Sequence, residues 1–219
     1  MDSGHTAWML TASALVFFMT PGLAFFYGGL VRAKSLVNTI MLSFMTICIV
    51  TIIWTLWGYS LAYGPNVSGD PLIQGIIGNF SALGLDGVAM MSGEEDSISP
   101  LYDVLFQMMF AIITPALITG AFVERFKFST YLIFTVIWIT IVYAPVAHWV
   151  WGGGWIGGDG AGALDFAGGT VIHINAGAAA VAAALLVGKR ANPGLQPNNV
   201  PFVVLGASIL WFGWFGFNG

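Results

Sequence analysis

From Phe166 to Gly188 the chain carries no aspartate, glutamate, lysine or arginine. A helix of that length crosses a bilayer, because about 20 apolar residues at the helical rise cover the hydrocarbon. Five more apolar runs with almost no charge share this character. Together they predict six membrane helices over residues 7–31, 36–63, 102–123, 128–150, 170–188 and 200–219. In lipid each segment must satisfy its own backbone polar groups, so such runs fold as a helix bundle. The fold class that follows is all-α, a polytopic membrane helix bundle with one membrane domain over 1–219 and no soluble domain. Composition agrees: 7% of the residues are charged, against roughly 25% in a soluble domain. No basic stretch offers nucleic acid a surface, and a net charge of -4 points the same way. Cys48 is the single cysteine, so no intrachain disulfide forms, and its apolar surroundings mark it as an inert core thiol.

Charge also gives direction. All six basic residues fall in three gaps, at Arg32 and Lys34, Arg125 and Lys127, and Lys189 and Arg190. These gaps follow helices one, three and five, so they share one face of the membrane. The positive-inside rule makes that face cytoplasmic and puts the N-terminus outside. Glu124 is the one acid among them; the other acids lie outside or at the outer boundary, where they favour approaching cations. The start, MDSGHTAW, lacks the positive flank of a signal peptide, so Ala7 onward reads as a spanning helix. His5 sits in that tail without a specific role. Residues 64–101 form the longest loop, with Pro65, Pro71, Pro100 and the acidic run Glu94-Glu95-Asp96, and read as solvated outer surface. Pro21-Gly22 predicts a packing kink within helix one.

The chemistry concentrates in residues 143–177, a glycine-rich stretch holding Trp149, Trp151, Trp155, Asp159, Asp165, His148 and His173. His173 and Asn175 enter a membrane helix, and polar groups at membrane depth mark functional sites. Asp165 precedes Gly168-Gly169-Thr170, where a carboxylate accepts hydrogen bonds from the free amides of a helix start. Trp149 and Trp155 read as an interfacial belt. His148, near the outer end of helix four, reads as an interfacial or structural residue. Phe106 and Phe110 share one face of helix three, with Thr114 and Pro115 following on nearly the same side. In helix five His173, Gly177, Ala180 and Ala184 share a face of small residues that lets another helix approach closely. Ala12-Ser-Ala-Leu-Val-Phe17 in helix one echoes Ala207-Ser-Ile-Leu-Trp-Phe212 in helix six, as an inverted repeat of five helices would.

Several of these residues also stand in a recognisable order. Ala147-His148, Trp151-Gly-Gly-Gly154 and Asp165-Phe-Ala-Gly-Gly-Thr-Val-Ile-His173-Ile-Asn175 resemble the signature of the ammonium transporter family (Amt/Mep/Rh). Gly22, Phe26-Tyr27-Gly28-Gly29, Phe106-Gln107, Trp211-Phe-Gly213 and Gly216-Phe-Asn218 fit the same pattern from about residue 7 onward. The resemblance implies an inverted-repeat fold of about eleven membrane helices. This chain matches the first half and the first helix of the second, and so reads as a truncated form of it.

For function, the resemblance implies ammonium recruitment at an outer aromatic mouth formed by Trp151 and Phe110, with methylammonium as an analogue. It implies a gate of Phe106, Phe110 and Phe217, a pore histidine at His173, and site-ordering roles for Asp165 and Asn218. A homotrimer in the cell membrane, with a PII-type nitrogen regulatory protein on the cytoplasmic face, completes what it implies. No cofactor, metal or catalytic residue is expected, and the chain reads as no enzyme.

Magnitudes shape the mechanism. A desolvated cation–π contact contributes about 2 kcal/mol, whereas taking an unpaired ion into hydrocarbon costs on the order of tens of kcal/mol. Recruitment of the ion at the mouth followed by passage of neutral ammonia past His173 resolves that conflict. Three alternatives compete with transport: an ammonium sensor, a non-conducting fragment, and a haem-binding bundle using His148 and His173 as axial ligands.

Overall fold

A computed structural model describes residues 3–66, 75–88, 99–158, 160–190, 194 and 196–219. Pro71, the run Glu94-Glu95-Asp96 and Asp159 lie outside the described residues. Six helices are long and apolar enough to cross a membrane: α1 (Ser3–Leu30), α2 (Ala33–Tyr63), α3 (Pro100–Phe122), α4 (Phe128–Val150), α5 (Gly169–Val187) and α6 (Val200–Phe217). Each coincides with a run predicted from the sequence to within a few residues. The chain is a multi-pass integral membrane protein.

The centre of the bundle is α3, 61% of whose most apolar stretch is buried, against 22% for α5 and for α6. Val104, Phe110, Ile113, Ala116, Ile118 and Phe122 of α3 carry the core, and α1, α2 and α5 pack around it. Tyr131, Trp138, Ile139 and Tyr143 bring α4 into the same cluster. The helix α6 leans chiefly on α1. The two meet backbone to backbone: a Cβ on Gly206 would collide with the backbone of Gly22 and Phe26, and one on Gly216 with that of Ala12. Small residues permit this approach, and in lipid close packing replaces the hydrophobic drive that holds helices together in water. Ala12 near Gly216 and Gly22 near Gly206 make the pair antiparallel. Cys48 is exposed on the bundle surface rather than in the core, because α2 turns that side outward. The expectation of a core thiol is therefore corrected.

Three of the helices contain a wide π-helical turn: Trp54–Gly58 in α2, Ile139–Tyr143 in α4 and Gly169–Ile174 at the start of α5. Such turns insert one residue into the helical register and are frequent at functional sites. The turn in α4 immediately precedes Pro145, whose missing N–H already weakens the local ladder.

At the inner end, the three basic gaps converge on one acid. Glu124 accepts from Arg32 Nε at 3.0 Å, Arg32 Nη2 at 3.0 Å and the Arg32 amide at 3.1 Å. Arg190 Nη1 reaches its other side at 3.2 Å. Arg125 donates to the carbonyls of Gly188 and Ala121, and Asn198 Nδ2 donates to the carbonyls of Gly28 and Val31. The connections after α1, α3 and α5 are thus held together on the same face, as their shared charge requires.

Candidate functional site: an aromatic cleft at the outer end of the bundle

The site begins with a helix start. Asp165 Oδ1 accepts from the Gly168 amide at 2.6 Å, and Oδ2 accepts from Thr170 and Val171 at 2.8 and 2.9 Å. These are amides that the first turn of α5 leaves without helical partners. Gly168 turns the chain with φ +89°, and a Cβ there would also strike Ile172, so glycine is required. The capping expected of Asp165 is what the structure shows.

That same turn connects to α4. Trp151, at the end of α4, donates from Nε1 to the Asp165 carbonyl at 2.7 Å. Its ring therefore stands at a fixed angle beside Phe110 of α3, with centroids 6.2 Å apart and planes at 67°. Phe110 meets Phe106 at 4.7 Å and Phe217 at 4.7 Å, both edge to face. Residues predicted from α3, α4 and α6 thus meet in one place. Together with Tyr63, Gln107, Asp165 and Asn218 they line a cleft of about 390 Å³.

Behind Phe217 lies a second hollow of about 260 Å³, lined by Asp165, His173, Trp214, Phe217 and Asn218. His173 sits in the π-helical turn that opens α5. Its imidazole lies parallel to Trp214 at 3° and 5.7 Å, and 5.8 Å from Phe217. Phe217 accordingly separates the cleft from the histidine. His173, Gly177 and Ala178 are exposed; α5 instead buries Val171, Ile172 and Ala176 and packs on α3. Of the small-residue face, His173 meets α6 through Trp214 and Phe217 and Ala180 packs on the core, while Gly177 is exposed.

His148 is elsewhere and occupied. Its Nδ1 lies 3.0 Å from the Ala62 carbonyl and its Nε2 2.7 Å from Asn66 Oδ1, with the residue fully buried. The imidazole N–H ties α4 to the end of α2, and oxygens packed against both ring nitrogens fit a structural role and leave no room for an axial haem bond. Trp149 similarly donates to the Ile76 carbonyl at 2.7 Å and meets Trp155 at 5.8 Å, fastening the outer loop. Among the described residues no cluster of three metal-ligating side chains occurs.

Reading the sequence missed Glu124, whose clasp joins positions 66 and 92 residues away. The only signal was its place as the sole acid in a basic gap. It also missed Asp103, the acid in the first turn of α3, one helical turn before Gln107 of the cleft. An acid in the first turn of an apolar helix was the available sign.

A family model, the Ammonium Transporter Family, matches residues 7–219. The chain belongs to that family. An ammonium transporter of Aquifex aeolicus is 54% identical, over 100% of this chain and 50% of its own length. The crystal structure of Candida albicans Mep2 superposes with a TM-score of 0.87 at 37% identity, covering 100% of this chain and 48% of that one. A structure titled Sensor Amt Protein gives 0.85 at 30% identity, over 97% of this chain and 53% of that one. The chain thus spans about half the length of the relatives it matches.

Proposed function

We propose that this chain forms the outer mouth and one wall of a path for ammonium and ammonia across the membrane. The observation that supports it most is the cleft itself. Trp151 and Phe110 present their rings to a hollow bordered by the Asp165 backbone and closed below by Phe217. Ring faces attract a cation, and the acid near the mouth adds to the attraction. The ion cannot go further intact. A contact of about 2 kcal/mol does not offset a burial cost on the order of tens of kcal/mol.

Deprotonation at the mouth therefore precedes passage. Phe106, Phe110 and Phe217 act as the gate through which neutral ammonia passes. His173 then offers one nitrogen as acceptor and the other as donor along an otherwise apolar wall. The proton leaves ammonium at the mouth and travels separately. Asp165 orders the site by fixing the start of α5 and, through its carbonyl, the Trp151 indole. Asn218 borders both hollows beside the gate. No bond of the substrate other than N–H changes, so the role is transport rather than catalysis. A homotrimer with the N-terminus outside, and a PII-type regulator on the inner face, belong to the same reading. Sensing is the second reading, favoured by the likeness to the Sensor Amt Protein. It predicts binding at the same cleft without current.

The test uses ammonium-evoked currents from the complete gene product in proteoliposomes. Trp151→Leu keeps apolar bulk but removes the ring face, and raises half-saturating ammonium and methylammonium about tenfold. Trp151→Phe, which keeps a ring but loses the bond to Asp165, lies between. An unchanged concentration dependence in Trp151→Leu returns this residue to the interfacial belt.

A further inference from the structure

The cleft has a polar wall as well as an aromatic one. Five buried side-chain polar atoms lack a hydrogen-bond partner among the described residues, and two of them, Tyr63 Oη and Gln107 Oε1, belong to residues lining this cleft. A buried polar atom left unpaired costs about 1–3 kcal/mol, so two such atoms beside one hollow need an explanation. Neither is accidental in orientation. Tyr63 ends α2 and is held by ring contacts with Tyr59 at 5.3 Å and Trp54 at 6.1 Å. Gln107 lies on α3 between Phe106 and Phe110 of the same cleft, and lines the hollow with them.

We propose that Gln107 Oε1 and Tyr63 Oη are acceptors for two N–H groups of an ammonium ion held against Trp151 and Phe110. The proposal rests on the ammonium reading of the cleft and deepens it. Ring faces attract any small cation, and they do so without direction. Two placed oxygens add the directional bonds that an N–H donor satisfies, and bonds to a charged donor are the stronger kind.

The experiment compares half-saturating ammonium and maximal current for the complete gene product in proteoliposomes, with folding checked by thermal unfolding. Tyr63→Phe removes a single oxygen and keeps the ring, so its effect on packing is small. The expected result is a rise of about tenfold in half-saturating ammonium, with thermal unfolding unchanged. Gln107→Leu gives a rise of the same order. Wild-type half-saturation in both Tyr63→Phe and Gln107→Leu, with Trp151→Leu still impaired, overturns the polar wall and leaves the aromatic mouth intact. A wild-type product that gives no ammonium current overturns the underlying reading, and this proposal with it.

Discussion

Glu124 shows what a single residue does for this fold. Its side chain is 2% exposed, and it faces Arg32 and Arg190 from two other connections. Burial pushes its carboxyl upward, but the side-chain and backbone hydrogen bonds from Arg32 outweigh this, so the group titrates below its ordinary value. A carboxyl held lower in the folded state contributes stability that is present above the unfolded value and lost as pH falls through the folded one. Glu124→Gln in detergent therefore unfolds at lower temperature than wild type near neutral pH, by a loss of roughly 2 kcal/mol. The gap narrows as pH falls below the ordinary carboxylate range and closes in acid below the lowered value of the folded protein, where the wild-type carboxyl is also neutral. A gap of the same size at both pH values contradicts the clasp. At this scale legibility depends on distance along the chain. Asp165 could be read because the amides it caps follow within 6 residues. Glu124 and its arginines could not be paired, because only the fold brings them together. Gln107 was read only as part of a motif, and Tyr63 not at all, for the same reason: their missing partners become visible only with the cleft in place.

At the scale of helices, the lipid makes the sequence easy to read. A span must be apolar and uninterrupted, so Phe128–Val150 emerges from the chain with the ends the structure gives it. The wide turns leave no such mark. One inserted residue changes neither composition nor length, yet the turn at Gly169–Ile174 sets the direction in which His173 leaves α5. The wide turn at the start of α5, and the parallel stacking on Trp214 that accompanies it, were therefore beyond the sequence. Orientation across the membrane is testable at this scale. In a Cys48→Ala background, an impermeant thiol reagent applied outside cells labels Ser81→Cys, in the connection between α2 and α3. The same reagent spares Ala33→Cys, which lies in the first basic gap. The reverse pattern inverts the topology and places the aromatic cleft on the inner side.

The whole molecule is well packed on one side and bare on the other. The bundle of α1 to α4 encloses α3, while α6 presents Trp211 at 74% exposure and Phe215 at 65%. His173 and Gly177 look outward from α5 in the same way. His173 borders the hollow behind Phe217, so the proposed path past it has one wall among the described residues. Sites at the interface of two inverted halves need walls from both. The proposed proton path around His173 therefore needs a second wall beyond Trp214 and Phe217. The decisive measurement reconstitutes residues 1–219 by themselves in liposomes and applies an ammonium pulse. The predicted result is a trace matching protein-free liposomes. A current above that level, abolished by His173→Ala, contradicts it and shows that neighbouring copies of this chain complete the pore.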